Sequence, residues 1–462
     1  MSRWRSPRWW AAALVVAALA CCVNTEVRGD GNGYYAWIAS AVVDGDLDFR
    51  NQYRHGNQLF FQWFDDGVGG FSEARMTRTG HIDNQWAVGT AALWAPWFLG
   101  AHAVVRLRGL DPQDGYAPIY RRACALGSFC YAMLALWLGA RAARRFGVPA
   151  HLALASAIVV CGATSLLVYT WLLPFYAHAA GAFTVALFLT GALVADRTPL
   201  TMGQWAWWGA SAGLMAMTYL ANGLFGVVAL PVWLAVWRRD GAMRAISAGA
   251  VFVGAAVVAA LPHLIGKALV YGSPFVTGYQ EHWYFTAPQL WATAFSPNHG
   301  VFLWTPLMAV GLIGCAFLVR RHRSMVAMLV AAALFYELIA SYGNWHGLSS
   351  FGNRFFTAWT LLVVVGVGVV LQRLGATALG RRASLLMAAA LVLWNVSLAF
   401  QWASKMIPNR GPVDVAVVLR QQQQVPALAW TYGWRYFTDR ARLARDIEER
   451  DWQEWQRTRI PQ

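Results

Sequence analysis

Long apolar stretches recur along the chain, most of them roughly twenty residues with few or no charges, the length that carries a helix across a bilayer. They fall at 9–23, 119–140, 151–170, 175–195, 203–218, 220–237, 246–269, 301–319, 324–342, 355–372 and 384–402. Arginines gather between them, at Arg141/Arg144/Arg145, Arg238/Arg239/Arg244, Arg320/Arg321/Arg323 and Arg373/Arg381/Arg382. Alternating crossings put all four clusters on one side, which the positive-inside rule makes the cytoplasm, and Arg3, Arg5 and Arg8 hold the N-terminus there too. A further apolar segment, 86–105, breaks the alternation if it crosses. It is interrupted by Pro96, carries His102 and is rich in Trp86, Trp94 and Trp97, so it reads as an interfacial helix. The pattern predicts an all-α polytopic membrane protein of about eleven transmembrane helices. A multi-span domain over 1–403 includes an extracytoplasmic loop with interfacial helices at 24–105, and a short extracytoplasmic tail follows at 404–462.

Composition narrows the class further. With 58% hydrophobic residues, 13% charged residues and 26 tryptophans, the chain lies far from a soluble domain. The net charge of +15 sits in those short clusters between apolar runs. It orients the chain in the membrane and does not mark a nucleic-acid-binding face. The stretch 24–85 carries nine acids against five arginines, as expected on the far side. Cys124, Cys130, Cys161 and Cys315 fall inside apolar runs, where a thiol behaves as a small hydrophobe, and no cysteine or histidine spacing points to a metal. Cys21 and Cys22 end the first run, where Ala18-Leu19-Ala20-Cys21 loosely matches a lipoprotein cleavage site. An uncleaved anchor suits a chain with many later spans better.

With that orientation the outer face receives the richest clusters of His, Tyr, Trp, Asn and Gly. These are the first loop, the turn 171–178, the break at Tyr219-Leu220-Ala221-Asn222-Gly223, the segment 271–300 and the turn 344–354. Any site therefore faces outward. Its centre is the stretch Arg28-Gly29-Asp30-Gly31-Asn32-Gly33-Tyr34-Tyr35. Asp30 stands among three glycines, so its carboxylate can approach a substrate without a Cβ collision. A carboxylate just outside a span, ahead of a short helical pattern over 34–43, suits general-base work at the lipid surface. The competing role is a cap on the next helix.

The order of a span, a Gly-Asp-Gly loop with Tyr34-Tyr35, the run Asp44-Gly45-Asp46-Leu47-Asp48, and Asn84-Gln85-Trp86-Ala87-Val88-Gly89 opening a helix with Pro96 resembles the bacterial GT-C glycosyltransferases. Relatives of these include protein O-mannosyltransferases and lipid A aminoarabinose transferases. The segments 295–306 and 345–354 are similar to two more recurrent among them, and the resemblance spans about residues 1–400. It implies transfer of a hexose or pentose from a polyprenyl-phosphate donor to a glycan, lipid or protein acceptor, with inversion. It also implies a cell-envelope setting, in a bacterial inner membrane with the site on the extracytoplasmic side. Asp30 takes the acidic position of the first outer loop, and Asn84 comes with its segment as a substrate-binding position. Two departures leave the acceptor open: Gly31 follows Asp30 where mannosyltransferases have an Asp-Glu pair, and Asn84-Gln85-Trp86 stands where aminoarabinose transferases have Lys-Pro-Pro.

The chemistry is coherent without the family name. An acceptor hydroxyl needs a carboxylate to take its proton, and a departing lipid phosphate needs positive charge or hydrogen-bond donors. Arg354, in a Gly-Asn-Arg turn at the outer end of a span, is the candidate phosphate clamp. Arg28 and Arg78 are weaker rivals, and snorkelling to headgroups is the alternative use of Arg354. His178, His299 and His346 are candidate donors to phosphate or sugar, and each also fits a structural histidine. Tyr34 is a candidate for stacking on a sugar ring. Asp44, Asp46 and Asp48 have calcium-loop spacing and leave room for a divalent metal, although the glutamate that completes such a loop is missing. The tail becomes charged and helical over 436–457, as a cap lying along the membrane or at the mouth of the site. The rival function is a transporter or flippase of a lipid-linked or small polar solute, for which Glu337, deep in a span, is the residue to watch. Polar groups gathered on one face and the lack of an inverted repeat favour the enzyme.

Overall fold

The computed structural model describes residues 15–110, 112–196, 198–279 and 282–458. Arg3, Arg5, Arg8 and the start of the first apolar run lie outside them. The described residues are helical, with isolated bridges and no β-strand. Among the described residues, seven helices are long and apolar enough to cross a bilayer: Pro118–Arg145, His178–Ala195, Leu220–Asp240, Ala242–Tyr271, Arg323–Ser341, Arg354–Leu374 and Ala378–Ala403. This is an integral membrane protein of the all-α polytopic class. Three further expected spans are shorter or broken. The run 203–218 is the helix Met202–Thr218. The run 301–319 divides at Thr305-Pro306 into Val301–Trp304 and Leu307–Ala316, because proline has no N–H to continue the ladder. The run 151–170 divides into Ala150–Gly162 and Leu166–Trp171, where the Thr164 hydroxyl accepts the Leu166 N–H at 3.3 Å and so takes over a main-chain donor.

The core forms around the helix that begins at Arg354. Residues Thr360 to Val369 are all buried. Leu307–Ala316 approaches it backbone to backbone through glycine: a Cβ on Gly366 would lie 1.7 Å from the Gly311 carbonyl oxygen. In a bilayer, where lipid is as apolar as leucine, such close packing holds helices together. Ala242–Tyr271 is peripheral, with only 11% of its apolar window buried, and faces lipid.

The segment that follows the first apolar run is itself a core. The helix Asp30–Ala39 starts four residues earlier than its apolar pattern indicates, is buried from Gly31 onward and runs into one π-helical turn, Ser40–Asp44, ended by Gly45 at φ 73°. Tyr35 is fully buried among Trp94, Phe98, Tyr116 and Phe175. The segment expected to lie at the interface forms one helix, Gly89–Arg108, continuous through Pro96. Its tryptophans do not form the belt that composition indicates. Trp86 and Trp94 are buried, and Trp94 donates to the Ser128 hydroxyl at 2.8 Å, because the Asp30 helix covers them.

The tail folds as Val415–Gln422, Val425–Thr438 and Arg440–Thr458. Its last helix is tied down by charge: Glu448 meets Arg28 at 3.0 Å, and Asp451 and Glu454 meet the buried Lys405. On Val425–Thr438, Trp430, Trp434 and Phe437 share one exposed face.

Candidate active site

Two residues far apart in sequence make the site. Gly29, at φ 52°, turns the chain into the Asp30–Ala39 helix, so Asp30 is the first helical residue and does not cap it. A Cβ on Gly29 would lie 2.1 Å from the Tyr176 hydroxyl oxygen. Glycine is therefore required twice, for its backbone angle and for its size. The Asp30 carboxylate points to Arg354, the first residue of the central helix, with Oδ2 2.8 Å from Nη2. The Arg354 side chain is 13% exposed and that of Asp30 30%. The guanidinium lies 5.3 Å from the Tyr176 ring centre and 5.8 Å from that of Phe355, an arrangement that favours a desolvated cation. Its Nε is buried and has no hydrogen-bond partner.

These two groups line a cleft of about 60 Å³ with Tyr34, Gln85, Trp86, His178, Tyr219, Tyr279, Tyr342, Asn344, Gly347, Leu348 and Phe355. Among the lining residues Asp30 is the one carboxylate and Arg354 the one guanidinium. Burial pushes the Tyr34 and Tyr176 hydroxyls well above the ordinary phenol range, so both remain protonated donors. A cavity that takes one six-membered ring needs roughly 150 Å³. The cleft as it stands holds water and is smaller than a sugar ring.

The remaining candidates divide between the cleft and its supports. Asp30, Tyr34, His178 and Arg354 meet in the cleft. Asn84 lies behind it, fully buried, donating from Nδ2 to the Gly33 carbonyl at 3.0 Å and accepting the Trp86 N–H. His346 does not line it. Its Nδ1 accepts the Leu348 N–H at 3.1 Å, and burial together with the Arg354 charge lowers its pKa. His299 is away from the cleft, 0% exposed at φ 60° beside Trp304, with neither ring nitrogen hydrogen-bonded. Burial, then the neighbouring His346 and Arg354, lower its pKa to about 3. Arg28 is paired with Glu448 and Arg78 is exposed.

The calcium-loop spacing does not gather its carboxylates. Asp44 accepts from the Asn51 and Gln52 amides, Asp46 from the Ser40 hydroxyl at 2.7 Å, and Asp48 pairs with Arg50 at 2.6 Å. Among the described residues no group of three potential metal ligands forms. Glu337 is half-buried, and its main-chain and side-chain oxygens both lie within hydrogen-bond distance of the Ser341 hydroxyl.

The sequence marked the outer segments as rich in aromatic and amide groups but did not single out Tyr219, Tyr279, Tyr342, Gln85 or Asn344 from their neighbours. Tyr176 was also missed, as was Lys267, a lone cation inside the apolar run 246–269. No protein-family model and no curated protein matches the chain. Solved structures similar to this chain include the following two. One is the crystal structure of ArnT from Cupriavidus metallidurans bound to undecaprenyl phosphate, at 14% identity over 96% of this chain and 74% of that one, with a TM-score of 0.48. The other is the apo oligosaccharyltransferase of Archaeoglobus fulgidus, at 13% identity and a TM-score of 0.45. There the alignment covers 87% of this chain and 56% of the other.

Proposed function

We propose that this protein is a membrane glycosyltransferase of the GT-C type. It moves a sugar from a polyprenyl-phosphate donor to a hydroxyl on a glycan, lipid or protein acceptor, with inversion, at the extracytoplasmic face of a bacterial inner membrane. One observation supports this above the rest: a carboxylate and a nearly buried guanidinium 2.8 Å apart at the end of the central helix, in a cleft of tyrosines. Asp30 takes the proton of the acceptor hydroxyl as its oxygen attacks the anomeric carbon. The bond from that carbon to the phosphate oxygen breaks, and the electron pair leaves on a polyprenyl phosphate whose added charge Arg354 offsets. The unpartnered Arg354 Nε is a donor awaiting an acceptor, and a phosphate oxygen meets that need. Tyr34 and His178 face the space where the sugar binds, and Asn84 fixes the turn beneath it.

The test is transfer in proteoliposomes containing polyprenyl-phosphate-linked sugars and a mixed acceptor pool. Removing a general base costs about 10²–10⁴-fold, so Asp30→Asn is expected to lose at least that lower figure while inserting normally. Wild-type turnover by Asp30→Asn rejects the proposal.

A further inference from the structure

Lys267 lies four residues before the end of Ala242–Tyr271 and is 0% exposed. A cation inside an apolar span is costly, and such residues are kept where they do something specific. Here the ammonium donates to three main-chain carbonyls: Asn84 at 2.8 Å, Gln85 at 3.1 Å and Thr277 at 3.0 Å. An ammonium has three N–H bonds, and all three are used. The Tyr271 ring centre is 4.9 Å away and that of Trp37 5.9 Å, two π faces on the same charge. Beside it, a Cβ on Gly266 would come within 3.1 Å of the Trp37 ring, so glycine admits that indole.

The three carbonyls belong to two segments that never meet in sequence, and both form walls of the cleft. Gln85 and Trp86 follow Asn84, and Tyr279 stands two residues after Thr277. The same junction continues into the helix that bears Asp30. Asn84 holds the Gly33 carbonyl, its own N–H donates to the Tyr271 hydroxyl at 3.0 Å, and Trp37 donates from Nε1 to the Trp86 carbonyl at 3.0 Å. A lysine paired with one carboxylate would fix one contact. A lysine shared among carbonyls of two strands of backbone fixes where those strands lie relative to each other.

We propose that Lys267 is a positioning residue that keeps the 84–86 and 277–279 walls of the Asp30–Arg354 cleft in register. This rests on the geometry of the cleft and goes beyond the transferase function, so its first test reads no activity. Full-length Lys267→Met and Lys267→Arg are placed in lipid nanodiscs and followed by hydrogen exchange. In Lys267→Met, exchange at 84–88 and 276–279 is expected to rise together, about tenfold or more for the loss of charged hydrogen bonds, while Thr360–Leu374 keeps its protection. Lys267→Arg, still a multiple donor, recovers part of it. Unchanged exchange, a rise in one segment alone, or a rise over the whole chain that arginine does not reverse overturns the proposal. Should Lys267→Met fail to insert, Lys267→Gln, which keeps two donors, is read by the same criteria. In the proteoliposome assay Lys267→Met is expected to raise KM for the donor about tenfold with a smaller fall in kcat. A fall in kcat at unchanged KM means lost folded protein and counts against positioning. Absence of transfer by the wild type itself refutes the transferase proposal and leaves the exchange result standing.

Discussion

If Arg354 is the phosphate clamp, its 2.8 Å contact with Asp30 sets carboxylate and phosphate in competition for one guanidinium. Replacing Asp30 by asparagine keeps the shape and removes the charge. A hydrogen bond to a charged group contributes roughly 1.5–3 kcal/mol. Asp30 is 30% exposed, so solvent screening lowers the strength of this one to about 1–2 kcal/mol. Released to the ligand, that corresponds to about 5–30-fold tighter binding of a polyprenyl phosphate, and the gain arrives in the variant that has lost turnover. The assay is equilibrium binding of labelled undecaprenyl phosphate to the protein in nanodiscs, at fixed salt and pH 7.5. Four proteins are compared: wild type, Asp30→Asn, Arg354→Gln and the double variant. Arg354→Gln is expected to bind weakly with or without the second change, so the coupling between the sites accounts for the whole gain. Weaker binding in Asp30→Asn than in wild type refutes the reasoning, because Asp30 would then hold Arg354 in place for the ligand and not compete with it.

Two further outcomes follow from packing and titration. A Cβ on Gly33 would lie 1.8 Å from the Trp86 ring, inside the buried wall of the cleft. Gly33→Ala is therefore expected to destabilise by about 1–3 kcal/mol and to lower transfer, and an unchanged thermal midpoint sinks this expectation. His299 has a folded-state pKa of about 3 against an unfolded value near 6.5. Between those values the unfolded chain binds the extra proton, so this contribution to stability is complete above pH 6.5 and is lost as pH falls. From pH 7 to 5 the loss is about 2 kcal/mol. A thermal midpoint followed over that range should fall less steeply in His299→Gln than in wild type, and equal slopes rule the assignment out.

Hydropathy and the placement of arginine were enough to indicate an all-α membrane protein and the positions of the seven long apolar helices among the described residues, and two short turns drew attention to Asp30 and Arg354. Those features are local: twenty apolar residues in sequence state their own requirement for lipid or a protein interior, and a Gly-Asp-Gly turn states its own freedom. Tertiary structure alone decided which polar groups share a space. The tryptophans of 86–97 read as a membrane belt because composition does not show that a second helix covers them. The Asp44–Asp48 series left room for a metal because spacing does not show that amide, hydroxyl and arginine partners lie nearby. Lys267 was passed over inside its apolar run, since its three carbonyl partners come from segments only the fold brings together. A hydrogen bond between residues hundreds of positions apart depends on the packing of every helix between them, and no local pattern records it.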